Sequence, residues 1–501
     1  MQAQRSTALK SLDRDLKGIG RLEKAGRDTV PRAAALGICL VFLVLVWAYV
    51  QNQSGGLAGG SFIVAAAVIG GYMALNIGAN DVANNVGPAV GSRALTMVGA
   101  LMIAAVFETA GAIIAGGDVV KTVSKGIIDA RQIADAGTFV RVMLAALLAA
   151  ALWINLATYL GAPVSTTHSI VGAVMGAGIV AAGFSVVNWP TMVKIAASWM
   201  VSPILGGIIA AIFLAFIKFN ILFREDKLAA AKTWVPVLVG LMAGIFSMYL
   251  VTKGLKNVWK PNFVYVLAIG AGIFAISYIW VRPQIARRAA TLENRRKSVS
   301  SLFVLPLICS AALLSFAHGA NDVANAVGPL AAIVHTVTAG GIATKVEIPI
   351  WVLLVGGIGI SAGLFLFGPK LIRTVGEKIT KLDPLRAFCV ALSAAITVIF
   401  ASALGLPVSS THIAIGGVFG VGFFREFHAN WLKDALARRA EAKRHPAGTP
   451  NVKQIKKAKK AWRKKLVRRR HLIRIVAAWL VTVPLAALLS AAIYITLRSI
   501  F

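Results

Sequence analysis

The eleven residues Gly78-Ala-Asn-Asp-Val-Ala-Asn-Asn-Val-Gly-Pro88 recur, with a single change, as Gly319-Ala-Asn-Asp-Val-Ala-Asn-Ala-Val-Gly-Pro329. Both copies lie inside strongly apolar stretches. A carboxylate between asparagines is costly in hydrocarbon, and such residues mark ion or substrate pathways. A second pair follows each copy: Gly161-Ala-Pro-Val-Ser-Thr-Thr-His168 is echoed by Gly405-Leu-Pro-Val-Ser-Ser-Thr-His412. A weaker third pair is Lys194-Ile-Ala-Ala-Ser-Trp199 and Arg474-Ile-Val-Ala-Ala-Trp479. Polar motifs duplicated within apolar segments point to a transporter built from two repeats.

The spacing sets the alignment of the repeats. Asp81 to Asp322 is 322 − 81 = 241 residues, and His168 to His412 is 412 − 168 = 244. Trp199 to Trp479 is 479 − 199 = 280, so the second copy has gained 280 − 244 = 36 residues there. That gain coincides with a long basic stretch, 425–473, read as a cytoplasmic insertion that orients the chain or meets anionic lipid. Stretches long enough to cross a bilayer occur at about 34–50, 61–79, 97–117, 139–160, 191–217, 233–251, 262–281, 301–318, 350–368, 385–404 and 475–498. The glycine-rich stretches 163–184 and 407–424 fit either re-entrant hairpins or spans, giving about 11–13 membrane elements in all.

Composition agrees. Hydrophobic residues make up 58% of the 501, and charged residues only 14% against roughly 25% in soluble domains. A net charge of +33 raises nucleic-acid binding, but the basic residues cluster between apolar spans, as the positive-inside bias requires. No nucleic-acid partner is therefore expected. The basic segments 1–33, 282–300 and 425–473 are all placed in the cytoplasm, with the N-terminus inside. With 163–184 and 407–424 each crossing once, an odd number of crossings separates the repeat starts, so the repeats are inverted. Repeat one covers 61–219. Repeat two covers 301–424 and its last helix, 474–498. Two linking spans occupy 233–281, and 34–52 holds an extra first span, read as retained rather than as a cleaved signal. The expected fold is thus an all-α polytopic membrane protein of two inverted repeats with broken helices. Cys39, Cys309 and Cys389 are far apart and show neither a disulfide framework nor metal spacing.

Each motif suggests its own chemistry. Asn80, Asp81 and Asn84 precede Gly87-Pro88, where a helix is expected to break and free backbone carbonyls. Together with Asn321, Asp322 and Asn325, they supply the hard oxygens that a small cation such as Na⁺ requires, or a protonation site. Helix capping is the plainer role for Asn and Asp, but its repetition in inverted halves favours a binding site. In the second motif, proline at a helix start leaves unpaired N–H groups at a positive dipole end. Ser165, Thr166 and Thr167, matched by Ser409, Ser410 and Thr411, add hydroxyl donors. Two such helix starts facing each other would hold a tetrahedral oxyanion without a fixed positive side chain; hydroxyls bonding back to the preceding turn are the alternative. His168 and His412 fit either an anion contact or a structural role at the helix start. Glu108, in mid-span, is a candidate coupling or proton site. At the 241 offset its counterpart is Pro349, with Glu347 nearby, so the halves differ there. No Gly-x-x-x-x-Gly-Lys-Ser/Thr loop is present, so the chain is not itself an ATP-driven pump.

With both motifs present in both halves and in order, the sequence closely resembles the inorganic phosphate transporter (PiT) family over about 61–498. The resemblance implies a symporter, not an enzyme, that imports inorganic phosphate with Na⁺ or H⁺ by alternating access. It places the cation on the Asn-Asp motifs, with Na⁺ at Asp81 and Asp322, and phosphate on the Ser-Thr motifs. It also gives Glu108 a link to phosphate transport. It implies no cofactor beyond the coupling cation, a bacterial inner-membrane location, contact with membrane lipid, and a homodimer as a common assembly. A sulfate or other tetrahedral oxyanion permease on the same scaffold is the alternative.

Overall fold

The computed structural model describes residues 32–160, 164–254, 259, 261–341, 348–374, 382–444 and 469–501. The basic N-terminus up to residue 31, Gly161 to Pro163, Glu347, and 445–468 of the basic insertion lie outside these. The described residues are almost wholly helical. A lone antiparallel bridge joins Ile128 to Val187. Among the described residues, ten helices are long and apolar enough to cross a membrane, and Thr166–Ala182 and Ile350–Phe365 are shorter apolar helices.

In chain order the first repeat comprises α2 (Gly60–Asn80), α3 (Val82–Gly91), α4 (Met97–Ala115), α5 (Gly117–Lys125), α6 (Ala136–Leu160), α7 (Thr166–Ala182) and α8 (Trp189–Ile217). Before them runs α1 (Arg32–Ser54). The linking helices are α9 (Lys227–Tyr249), α10 (Phe263–Ala290) and the short α11 (Arg296–Leu302). The second repeat comprises α12 (Val304–Thr338), α13 (Ile350–Thr374), α14 (Pro384–Ala403), α15 (Ser410–Arg444) and α16 (Arg469–Ile500). Caps fix many of the starts. Thr96, Asn188, Asp226, Asn262 and Asp383 each accept a backbone N–H from the first turn of the helix that follows.

The repeats interlock. α2 packs on α13 and α4 on α12, while α7 packs on α16 and α8 on α15. Gly78 and Gly319 make the first two crossings possible. A Cβ on Gly78 would lie 1.8 Å from the Ile360 carbonyl oxygen, and one on Gly319 2.0 Å from that of Glu108. The structural counterpart of Glu108 is therefore Ile360, not Pro349. The loop before α13 is longer than that before α4, so the 241 offset fails there. Gly111, Gly116 and Val123 meet Phe316, Val323 and Gly328 in turn, so α4–α5 runs parallel to α12. Since α4 is the span that follows α2–α3, α2 and α12 run in opposite senses, and the repeats are inverted.

The α6–α7 pair forms a hairpin. Asp129 N–H donates to the Val186 carbonyl (2.7 Å) and Asn188 N–H to that of Ile127 (2.9 Å), so the chain enters and leaves at one end. Within the stretch 163–184, α7 is thus the return arm of a hairpin, and α15 is its counterpart beside α14. α10 continues to Ala290 and α15 to Arg444, so both basic segments begin as helix.

Candidate functional site

Asp81 and Asp322 sit at the middle of the bundle and are 1% exposed. The broken helix expected there is only a one-residue interruption in repeat one. Asp81 keeps right-handed helical geometry (φ −94°, ψ −31°), and its N–H still donates to Ile77. In repeat two α12 runs unbroken through Asn321 and Asp322. The reason is that proline disrupts the turn before it, and Pro88 and Pro329 stand seven residues beyond the acids. A proline lacks the N–H that would bond the carbonyl four residues back. The carbonyls released from helix bonding are thus those of Asn84 and Asn325, not those of the acids.

The two motifs, separate in sequence, form one buried cluster. Thr166 Oγ1 donates to Asp81 Oδ2 at 2.7 Å, and Thr411 Oγ1 donates to Asp81 Oδ1 at 3.1 Å. Asn84 Nδ2 donates to Thr411 Oγ1 (2.8 Å), and Asn325 Nδ2 to Thr166 Oγ1 (3.2 Å) and Thr167 Oγ1 (3.1 Å). Asp81 therefore takes one hydroxyl from each repeat, and each of those hydroxyls is held by an asparagine. On the other acid, Ser410 Oγ donates to Asp322 Oδ2 at 3.1 Å. Thr167, the counterpart of Thr411, turns instead to the Val408 carbonyl at 2.9 Å. Asp322 Oδ1 and Asn325 Oδ1 are buried without a hydrogen-bond partner.

The remaining motif residues position these. Ser165 and Ser409 cap α7 and α15, accepting from the N–H of His168 (3.2 Å) and His412 (3.4 Å). Helix geometry leaves the N–H groups of Thr166 and Thr167 without an intrahelical acceptor. Asn80 Nδ2 donates to Thr158 Oγ1 (2.8 Å), and Asn321 Nδ2 to Ser402 Oγ (2.9 Å), so both asparagines tie an acid-bearing helix to a hairpin tip. The His168 and His412 rings lie 4.9 Å apart, and Trp199 packs 3.8 Å from His168. Trp199 Nε1 also donates to the Pro407 carbonyl (3.0 Å), fixing the tip before α15. The side chain of Trp479 is outside the described residues.

Sequence reasoning missed His318 and Asn85. His318 Nδ1 lies 2.6 Å from Glu108 Oε2, and its Nε2 lies 2.8 Å from Asp322 Oδ2. Asn85 Nδ2 donates to Glu108 Oε1 at 2.8 Å. Glu108 and His318 are both 0% exposed. Their counterparts across the pseudo-symmetry, Ile360 and Ile77, are apolar, and Asn85 corresponds to Ala326. The signal was present in the sequence: the position before Gly78 is apolar, whereas the one before Gly319 is ionisable. One ligand atom from each of Asp81, His318 and Asp322 lies within 4.8 Å of the others, close enough to share a cation.

Comparison with known proteins identifies the family. The sequence profile of the Phosphate transporter family matches residues 77–490. A Helicobacter pylori protein named "Putative phosphate permease" is 46% identical over 96% of this chain and 98% of its own length. A protein of the same name from Thermococcus kodakarensis is 37% identical over 85% of this chain and 95% of its own. The solved structure of "The sodium-dependent phosphate transporter" superposes with a TM-score of 0.77 at 36% identity, covering 88% of this chain and 100% of that one. This chain belongs to the phosphate transporter family and is an integral membrane transporter rather than an enzyme.

Proposed function

We propose that the chain imports inorganic phosphate by symport with Na⁺, through alternating access around the Asp81–Asp322 cluster. The observation that carries this reading is the bonding of Asp81 to one hydroxyl from each repeat. Two buried carboxylates close together repel each other and any approaching oxyanion, so a cation must enter first. Na⁺ takes hard oxygen ligands. The Asp81 and Asp322 carboxylates and the Asn84 and Asn325 carbonyls offer them. A cation on the carboxylates would free the Thr166, Thr411 and Ser410 hydroxyls to turn toward phosphate, beside the N–H groups at the two helix starts.

The unequal bonding of the two halves supports alternating access. Inverted repeats that exchange conformations reopen the site on the opposite face. In the exchanged state Thr167 would donate to Asp322, and Thr411 would turn to the tip of α6–α7. In this reading the basic segments favour a cytoplasmic position for the end where α10 finishes and α12 begins, in a bacterial inner membrane.

The test is radiolabelled phosphate uptake into proteoliposomes under an imposed Na⁺ or proton gradient, with unlabelled sulfate as competitor. Concentrative uptake driven by Na⁺ and indifferent to sulfate is the expected result. Uptake driven only by protons would move the coupling ion, and suppression by sulfate would make the chain a broader oxyanion permease.

A further inference from the structure

At the end of the bundle where α12 begins, well away from the central cluster, three cationic side chains from three other elements lie within electrostatic reach of Lys218. Lys218 follows α8, Arg296 begins α11, Arg386 lies in the first turn of α14, and Arg425 is on α15. Counting fourteen residues from Thr411 to Arg425 at 1.5 Å each, this site lies roughly 21 Å along α15 from the carboxylates. Lys218 is 7% exposed, an unusual state for a lysine. Its Nζ stands 5.1 Å from the centre of the Phe424 ring, and among the described residues it has no carboxylate or hydrogen-bond partner. The fields of Arg296, Arg386 and Arg425 all reach it.

The charge of Asp383 reaches Arg386 and Arg425, and that carboxylate is already engaged. Its Oδ2 lies 3.2 Å from Arg386 Nη2, and its Oδ1 caps α14 by accepting the Arg386 N–H at 3.0 Å. Arg386 Nε is buried without a partner. Basic side chains at a membrane boundary ordinarily reach outward to water and headgroups. Lys218 instead turns its Nζ over the Phe424 ring, against which His428 stacks. A nearly buried cation within electrostatic reach of three arginines, one of which keeps a buried unpaired guanidinium N–H, favours an anion there.

We propose that Lys218, Arg386, Arg425 and Arg296 bind a phosphate group at the cytoplasmic end of the bundle, distinct from the central site. Guanidinium forks match phosphate oxygens in pairs, and Lys218 supplies a point charge behind them. Free inorganic phosphate and the headgroup of an anionic lipid share this chemistry. Because the four elements belong to repeat one, the linker and repeat two, a bound phosphate would pin the two repeats together at this end.

The test uses the full-length protein in zwitterionic detergent with two probes, radiolabelled inorganic phosphate and phosphatidylglycerol, the latter counted by native mass spectrometry. Lys218→Met and Arg386→Gln are expected to weaken retention of a probe about tenfold, the scale of a lost charge-assisted bond, while Lys218→Arg retains it. A loss confined to phosphatidylglycerol identifies a lipid headgroup, and one confined to radiolabelled phosphate identifies the free ion. Unchanged retention of both probes in variants that melt like the parent overturns the proposal. Should Lys218→Met not fold, Arg425→Gln at its half-buried position gives the same reading, and unchanged retention there overturns it equally.

Discussion

Thr411, in the second repeat, donates its hydroxyl to Asp81 in the first across 3.1 Å, although 330 residues separate them in sequence. The bond joins the start of α15 to the interruption between α2 and α3. Any movement of one repeat against the other must break or exchange it. Its mirror image, Thr167 to Asp322, is not made, and that inequality distinguishes the two halves of an otherwise duplicated site.

Replacing either acid should stop coupled transport. Asp81→Asn and Asp322→Asn keep the side-chain shape and remove the charge proposed to hold a cation. Loss of such a ligand lowers affinity by roughly 10- to 100-fold or more. Na⁺-driven phosphate uptake is expected to fall to background in both variants at unchanged membrane expression. Normal uptake in either would remove that acid from the coupling site.

The Asn84–Thr411 contact spans the repeats, so its energy is open to a double-mutant cycle. Asn84→Ala, Thr411→Ala and the pair should show a coupling of about 1 kcal/mol in thermal stability, the usual net worth of a buried hydrogen bond. Additive effects would show that the two side chains do not meet in the resting protein.

Glu108, His318 and Asn85 form a polar crossing whose counterpart is apolar. Glu108→Ile or His318→Ile alone strands a buried ionisable partner and should cost about 3–5 kcal/mol. The triple change Glu108→Ile, His318→Ile, Asn85→Ala copies Ile360, Ile77 and Ala326 from the other crossing. It should recover most of that stability while phosphate uptake stays lost. Melting curves in detergent and uptake by the triple variant check both halves of this expectation.

Gly78 and Gly319 allow backbone to meet backbone. Gly78→Ala would drive a methyl into the Ile360 carbonyl, and Gly319→Ala into that of Glu108. Overpacking of this kind costs about 1–3 kcal/mol or more. Gly117→Ala, with open space around its Cβ position, should change little. Size-exclusion profiles of the three variants after mild heating separate these cases.

The sequence by itself determined the membrane spans, the two repeats and the candidate site residues other than His318 and Asn85. Apolar runs, prolines and caps act through near neighbours, so Thr96, Asn188 and Asn262 begin their helices where hydropathy begins its runs. It also made plain that Asp81 and Asp322 are buried, because no charge survives in such a stretch without a role. Only the tertiary structure decided what those groups touch. The anion motifs and the cation motifs read as separate sites along the chain, yet Thr166 and Thr411 bond directly to Asp81. The equivalence of Glu108 with Ile360 and the meeting of Glu108 with His318 were likewise invisible. Each depends on where one helix crosses another more than 200 residues away, and that is set by close backbone packing at Gly78 and Gly319 rather than by local sequence.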